Sequence, residues 1–327
     1  MTTEEFVRLH RSWGYNIKKF GDHYFHYRWI RKRFFPLNTS FPPNQVVSVD
    51  KKLVRALRWR HLISPVLIHG HKKDIYEYIL TADHYDLEQF DRKTRNRIRK
   101  SLKTCVFKRP ALEELLNEGL SINRQTCKKQ KRVDKYLTDE KHWSKCITSI
   151  CSSDEFIILG AYYEDRMVGY VIAYQLEGTF NLFQALIDRD NSSSTNPMCG
   201  LLYTLVNDLI REHGPISISY GIHRFGRPTM PLNRFKLNML FEACTYSRGQ
   251  VINPVLLNVI RLVLIIHFRV LRRKTIKKKL LQYFVHLYQG HRLLRSAMHQ
   301  IVVPEKETET FREQTHFSVS QPAKKTA

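Results

Sequence analysis

The sequence predicts an α/β protein with a basic helical extension toward its C-terminus, and three observations carry this. Two β-rich runs, 155–163 and 167–174, flank the polar turn Glu164-Asp165-Arg166, the pattern of a β-hairpin. A helix signal follows, with Pro197 in its first turn and Gly214 closing it. Lysines and arginines are spaced through helical apolar patterns at 87–108 and again at 255–302.

Taken in order, residues 1–85 are rich in aromatic and basic side chains, interrupted by Pro36, Pro42 and Pro43. Val66-Leu67-Ile68 and residues 75–80 read as strands, so this stretch is expected to form an accessory α/β region. The helix at 87–108 places Phe90, Ile98 and Leu102 on one apolar face. Further helices are expected at 111–131 and 138–150. Beyond the hairpin come a third strand at 179–187, a loop at 188–196, the helix at 197–213, a strand at 215–220, a short helix at 231–240 and a last strand at 241–252. Residues 303–327 have the polar composition of a disordered tail. The expected units are therefore 1–85, 86–254, 255–302 and 303–327.

A chain of 327 residues with 43% hydrophobic and 12% aromatic content has material for a substantial core, which excludes a wholly disordered protein. Its 54 Lys and Arg against 30 Asp and Glu give a net charge of +24, which favours a polyanionic partner: nucleic acid, an anionic lipid surface or a phosphorylated substrate. The six cysteines form no C-x-x-C pair and read as reduced thiols. His69-Gly70-His71 lacks a third ligand, so no metal is expected. The acidic start Met1-Thr2-Thr3-Glu4-Glu5 is unlike a secretory signal. The apolar stretch 255–268, interrupted by Arg261, falls short of the roughly 20 residues of a membrane span. A cytoplasmic protein is expected, with attachment to the inner face of the membrane as a further expectation.

Three motifs sharpen the order of elements. Lys93-Thr94-Arg95-Asn96-Arg97-Ile98-Arg99-Lys100 is a basic element on a helix before the hairpin. Asn196-Pro197-Met198-Cys199-Gly200-Leu201-Leu202-Tyr203 opens the central helix, which leads to a strand ending in Ser219-Tyr220-Gly221. Leu232-Asn233-Arg234-Phe235-Lys236 precedes the final strand and Pro254. Together these resemble the Fem-like branch of the GNAT acyltransferase superfamily, over roughly residues 86–254. The resemblance implies a mixed, largely antiparallel central sheet flanked by helices, and transfer of an acyl or aminoacyl group from acyl-CoA or aminoacyl-tRNA to an anionic amine or hydroxyl acceptor that is nucleotide-, phosphate- or lipid-linked.

It also implies site residues. The lysine of the matching element lies at the transfer site in Fem-like proteins, which points to Lys236; read by itself, Lys236 is a solvent-exposed helix lysine. Backbone of the middle strand around Phe183, Gln184 and Ala185 would position the donor carbonyl. CoA-dependent members carry Q/R-x-x-G-x-G/A before the central helix, whereas this chain has only Gly200 there. Ser194, Thr195 and Asn196 are then expected to cap that helix and leave its N–H groups for an anion. Asp188 and Asp190, in the loop after the middle strand, are candidates to accept a proton or orient an amine. Tyr220 and His223 beside Arg224 form a candidate acid/base or phosphate-binding cluster.

Residues 92–109 hold nine Lys and Arg and no acid, and Arg95, Arg99 and Lys103 are taken as the phosphate- or acceptor-binding set. No acid occurs between Glu242 and Glu305. tRNA and an anionic membrane surface therefore stand as candidate partners. The competing readings are a non-catalytic RNA-binding protein and an anionic-membrane-binding protein on a degenerate transferase fold.

Overall fold

The computed structural model describes residues 1–20, 23–28, 33–36, 63–68, 75–130, 134–190, 195–222 and 230–269, with Val285, Leu287, Tyr288 and His291 beyond them. Helix α1 (Thr3–Ser12) starts in a capping box, Thr2 with Glu5, and leads into a small antiparallel sheet of β1 (Ile17–Phe20), β2 (His23–Arg28) and β3 (Arg33–Pro36). The strands β4 (Ile63–Ile68) and β5 (Ile75–Ala82) follow. After a 3₁₀ turn at Leu87–Gln89 come α2 (Arg92–Thr104) and β6 (Val106–Lys108). A helical turn, Leu112–Glu114, and a π-helical turn, Leu115–Gly119, precede α3 (Leu120–Lys129), α4 (Lys135–Thr138) and α5 (Glu140–Cys151). The rest is β7 (Phe156–Tyr163), β8 (Arg166–Leu176), β9 (Thr179–Ile187), α6 (Pro197–His213), β10 (Ile216–Ile222), α7 (Met230–Asn238), β11 (Glu242–Ile252) and α8 (Pro254–Arg269).

Strands β4 to β11 form one eight-stranded sheet in the order β4-β11-β5-β10-β9-β8-β7-β6. Every neighbouring pair is antiparallel except β9 and β10, which run parallel. The two hairpins are set by two-residue turns, Glu164-Asp165 and Glu177-Gly178, in which both residues have positive φ, as the right-handed twist of paired strands favours. The expected α/β class and mixed, largely antiparallel sheet are present, and so is the implied sequence of two helices, hairpin, strand, helix, strand, short helix and strand. This is the arrangement that the resemblance implies.

Both faces of the sheet are covered, because β8 is buried along nearly its whole length and its side chains alternate between two cores. Tyr170 and Ile172 pack with Trp143 and Ile147 of α5 and with Leu120 of α3. Val171 and Ala173 pack with Leu201, Leu205 and Val206 of α6. The π turn is tied to this core, since the Leu115 carbonyl accepts from Trp143 Nε1 at 2.8 Å.

Three expectations are corrected. Residues 1–85 do not form a separate accessory region: β5 lies inside the main sheet between β10 and β11, and β4 is its edge. The helix expected at 87–108 stops at Thr104, and the chain continues as β6 along β7. Its buried face is Thr94, Ile98 and Ser101, while Leu102 is 39% exposed. Small polar residues occupy the buried stripe because α2 presses closely on α6 at Gly200. A Cβ there would come within 2.2 Å of Phe107 Cζ and 2.4 Å of Ser101 Oγ. Gly200→Ala is therefore expected to cost about 1–3 kcal/mol through overpacking, read as a lower urea midpoint with an unchanged m-value.

The helical extension expected at 255–302 is described as α8 as far as Arg269; most of 270–302, and all of 303–327, lie outside the described residues, as do His69 and His71. Among the described residues no helix is long and apolar enough to cross a membrane, and no group of three or more His, Cys, Asp or Glu is placed to hold a metal.

Candidate active site

The parallel pair β9 and β10 is short. Only Ile218↔Phe180 and Ser219↔Asn181 are paired, although β9 runs on to Ile187 and β10 to Ile222. Past that last rung the two strands part. On its other side β9 stays paired with β8, with Phe183 bulged out between Gln184, opposite Ile172, and Leu182, opposite Ala173. Among the described residues, the backbone of 182–187 thus has no strand partner on the β10 side. This fork lies at the middle of the sheet, and its walls are half-buried.

Lys236 lies over β10 and β5, beside Tyr220, one residue past the last rung of β9 and β10. It is 3% exposed, which corrects the expectation of a solvent-exposed helix lysine. Its Nζ lies over the rings of Tyr220 at 4.4 Å and Tyr78 at 4.5 Å, two cation–π contacts from neighbouring strands. The last turn of α7 fixes the backbone. Leu240 adopts a left-handed conformation (φ 63°), Phe241 N–H donates to Lys236 O at 3.1 Å and Leu240 N–H to Leu237 O at 3.0 Å, which together make a Schellman motif. The Met239 carbonyl, also at that end, accepts from the buried Tyr85 hydroxyl at 2.8 Å. Burial lowers the Lys236 pKa to about 8, and the charge of Glu77 opposes that fall. The negative end of the helix dipole and the two aromatic faces also favour the ammonium form, so Lys236 is a cation at neutral pH.

Glu77 is the residue that sequence reasoning missed. It is 1% exposed, adjoins Tyr78 on β5, and accepts from Ser219 Oγ at 2.7 Å at the last rung before the fork. Ser219 Oγ in turn accepts from Gly221 N–H at 3.0 Å. A lone acid within the β-rich run Ile75-Tyr76-Glu77-Tyr78-Ile79-Leu80 was the available signal. The run belongs to β5, inside the main sheet and not in an accessory layer.

The other expected residues divide. Tyr220 follows the last rung of β9 and β10, is packed edge-on against Phe241 and lies under Lys236 Nζ, and burial drives its hydroxyl pKa upward. Gln184 turns to the α3 side, where its Oε1 accepts from the Tyr170 hydroxyl at 2.8 Å; Ala185 pairs with Val171. Asp188 is buried at the far end of β9, accepting from Asp190 N–H at 2.9 Å with Arg166 Nη2 at 3.7 Å, and Asp190 binds Lys129 and Gln125 of α3. Both carboxylates thus fasten the turn after β9. His223, Arg224 and Ser194 lie outside the described residues.

Thr195 is buried, and Asn196 holds the N-cap position of α6 in a left-handed conformation without a side-chain cap bond, so the capping expected of Asn196 is not made. Asn196 instead lines a hollow of about 460 Å³ together with Arg92, Lys93, Asn96, Arg97 and Lys100 of α2. Four cationic residues of α2 thus line a hollow beside the N-terminus of α6. Arg95, Arg99 and Lys103 do not line it. Arg95 donates from Nη2 to the Phe90 carbonyl at 3.0 Å, and Arg99 and Lys103 are exposed elsewhere on α2.

No protein-family model matches the chain, and no curated protein matches it in sequence. Solved structures similar to it include FemX (TM-score 0.46, 12% identity, covering 65% of this chain and 70% of that one). The C-terminal domain of a protein assigned as a lysylphosphatidylglycerol synthetase from Agrobacterium fabrum is similar at TM-score 0.49 and 9% identity, over 80% of this chain and 91% of that one. An N-acetyltransferase, PaiA from Thermoplasma acidophilum in complex with coenzyme A, is similar at TM-score 0.29 and 13% identity, over 33% of this chain and 74% of that one. At such values the likeness concerns the course of the chain and not its chemistry.

Proposed function

We propose that this protein is an acyl- or aminoacyl-transferase, which moves an acyl group from a phosphate-bearing donor, acyl-CoA or aminoacyl-tRNA, to an amine or hydroxyl of an anionic acceptor. The observation that carries this reading is the cationic Lys236 buried where β9 and β10 part. Acyl transfer forms a bond from the nucleophile to the carbonyl carbon and breaks the bond to the donor's sulfur or oxygen, and negative charge gathers on the carbonyl oxygen in between. The unpaired side of β9 after the bulge offers backbone N–H groups for the carbonyl, and a desolvated ammonium at the fork stabilises the developing oxyanion more than it stabilises the neutral carbonyl. The nucleophile's proton leaves with the departing thiol or hydroxyl. Glu77 acts through Lys236, by keeping it protonated.

The hollow beside Asn196 suits the donor's phosphates: it lies at the start of α6, whose residues Leu201 and Leu205 pack under the same sheet. In this reading Gly200 permits the close approach of α2, and with it the cations. The test is native mass spectrometry of the purified protein, followed by transfer assays with labelled acetyl-CoA and with charged tRNA. Retention of one donor and label transfer to an amine or hydroxyl acceptor support the reading. Copurification of uncharged RNA, with no transfer from either donor, would replace it with the RNA-binding alternative.

A further inference from the structure

Helix α8 is apolar on two sides. Leu257 and Ile260 are buried with Ile252 and Leu287, and Leu256 and Leu264 pack at the edge of this cluster. On the opposite side Val255, Val259 and Leu262 are 69%, 50% and 57% exposed. At 100° per residue these three fall within a narrow arc facing away from Leu257 and Ile260, so they form a continuous stripe. A helix lying on a protein in water ordinarily presents charged residues outward, and this one presents two valines and a leucine.

We infer that the Val255-Val259-Leu262 face of α8 docks on an anionic lipid bilayer, with the helix lying in the interface plane. Charge selects this occupant. The sequence places seven cations between Arg269 and Lys279, directly after the helix, and carries no acid from Glu242 to Glu305. A second copy carries the same cationic sequence and offers no complementary charge, whereas anionic headgroups oppose it with the complementary sign. Apolar insertion and adjacent cations are the two signals that together hold a peripheral protein on a membrane, where either one alone binds weakly. The helix has 16 residues, about 24 Å at 1.5 Å per residue, so it suits lying on the surface and is too short for a span. The inference does not depend on the acyl-transfer reading and is tested without any donor.

The experiment is sedimentation of the full chain with vesicles of phosphatidylcholine alone and with about one-third phosphatidylglycerol, at low and high salt. The variant carries V255S, V259S and L262S; because all three side chains are exposed, its melting temperature should match the parent's. Binding is expected only with the anionic vesicles, weakening with salt, and the variant should bind at least tenfold more weakly. Equal binding by variant and parent would overturn the role of α8. Absence of sedimentation at low salt, or a parent dimer in analytical ultracentrifugation that the triple variant abolishes while vesicle binding is absent, would overturn the membrane assignment.

Discussion

Lys236→Met is expected to reduce transfer by about 10²–10³-fold, the scale of losing one oxyanion-stabilising group, and at the same time to raise the melting temperature at neutral pH. Methionine keeps an unbranched stem between Tyr78 and Tyr220 and removes the buried charge. Lowering the lysine pKa from 10.5 to about 8 corresponds to roughly 3 kcal/mol against the charged form, while two cation–π contacts return about 0.5–1 kcal/mol each. The variant should therefore gain about 1–2 kcal/mol at pH 7.

The sign in pH follows from the depressed folded-state value. Between about pH 8 and 10.5 the unfolded chain holds the proton and the folded chain does not, so the parent's stability rises with pH across that window and the variant's advantage fades. Calorimetry at neutral and alkaline pH measures this directly. Transfer by the parent should fall above about pH 8 as the ammonium is lost. Glu77→Gln removes the charge that supports the ammonium, and should shift that limb to lower pH. A variant at Lys236 with parental transfer would remove it from the site.

The second large effect belongs to the hollow. Replacing Arg92, Lys93, Arg97 and Lys100 by Gln should weaken binding of the phosphate-bearing donor by on the order of 100-fold and flatten its dependence on salt, since each neutralised phosphate contact contributes to the salt slope. The matched control is Arg99→Gln with Lys103→Gln, two exposed cations of the same helix that do not line the hollow. Donor affinity measured by fluorescence anisotropy over a salt series separates the sets. Losses in proportion to the number of charges removed, four against two, would mean that the helix acts through its summed charge and not through one site.

Local signals were legible in the sequence and long-range ones were not. Pro197 and Gly214 bound the central helix as expected, and the third strand runs Thr179–Ile187 as expected, because proline, glycine and β-branched or aromatic runs act within a few residues of themselves. The phase of α2 is not legible locally, because its buried stripe uses Thr94 and Ser101, and only the proximity of Gly200, a hundred residues onward, makes small polar residues fit there. Of the cations of α2, Arg92, Lys93, Arg97 and Lys100 line the hollow beside Asn196, and Arg95, Arg99 and Lys103 do not. Lys236 was legible as a residue by resemblance, but its burial was not, since the two tyrosines that enclose it come from β5 and β10. Glu77 was hidden for the same reason, as its partner Ser219 stands 142 positions away.

The seat of β5 between β10 and β11 also bears on how the molecule is made. During synthesis, residues 75–82 emerge long before the strands that flank them, and their two neighbours are complete only at 222 and 252. Until then both edges of this strand are open backbone, able to pair with another nascent chain. Closing these ladders means joining segments separated by well over a hundred residues, so folding should be slow and late, gated by the last strand. The candidate site needs Tyr78, Tyr220 and Lys236 together, so it can assemble only once residue 236 has been made, and β5, complete at residue 82, must stay available until then.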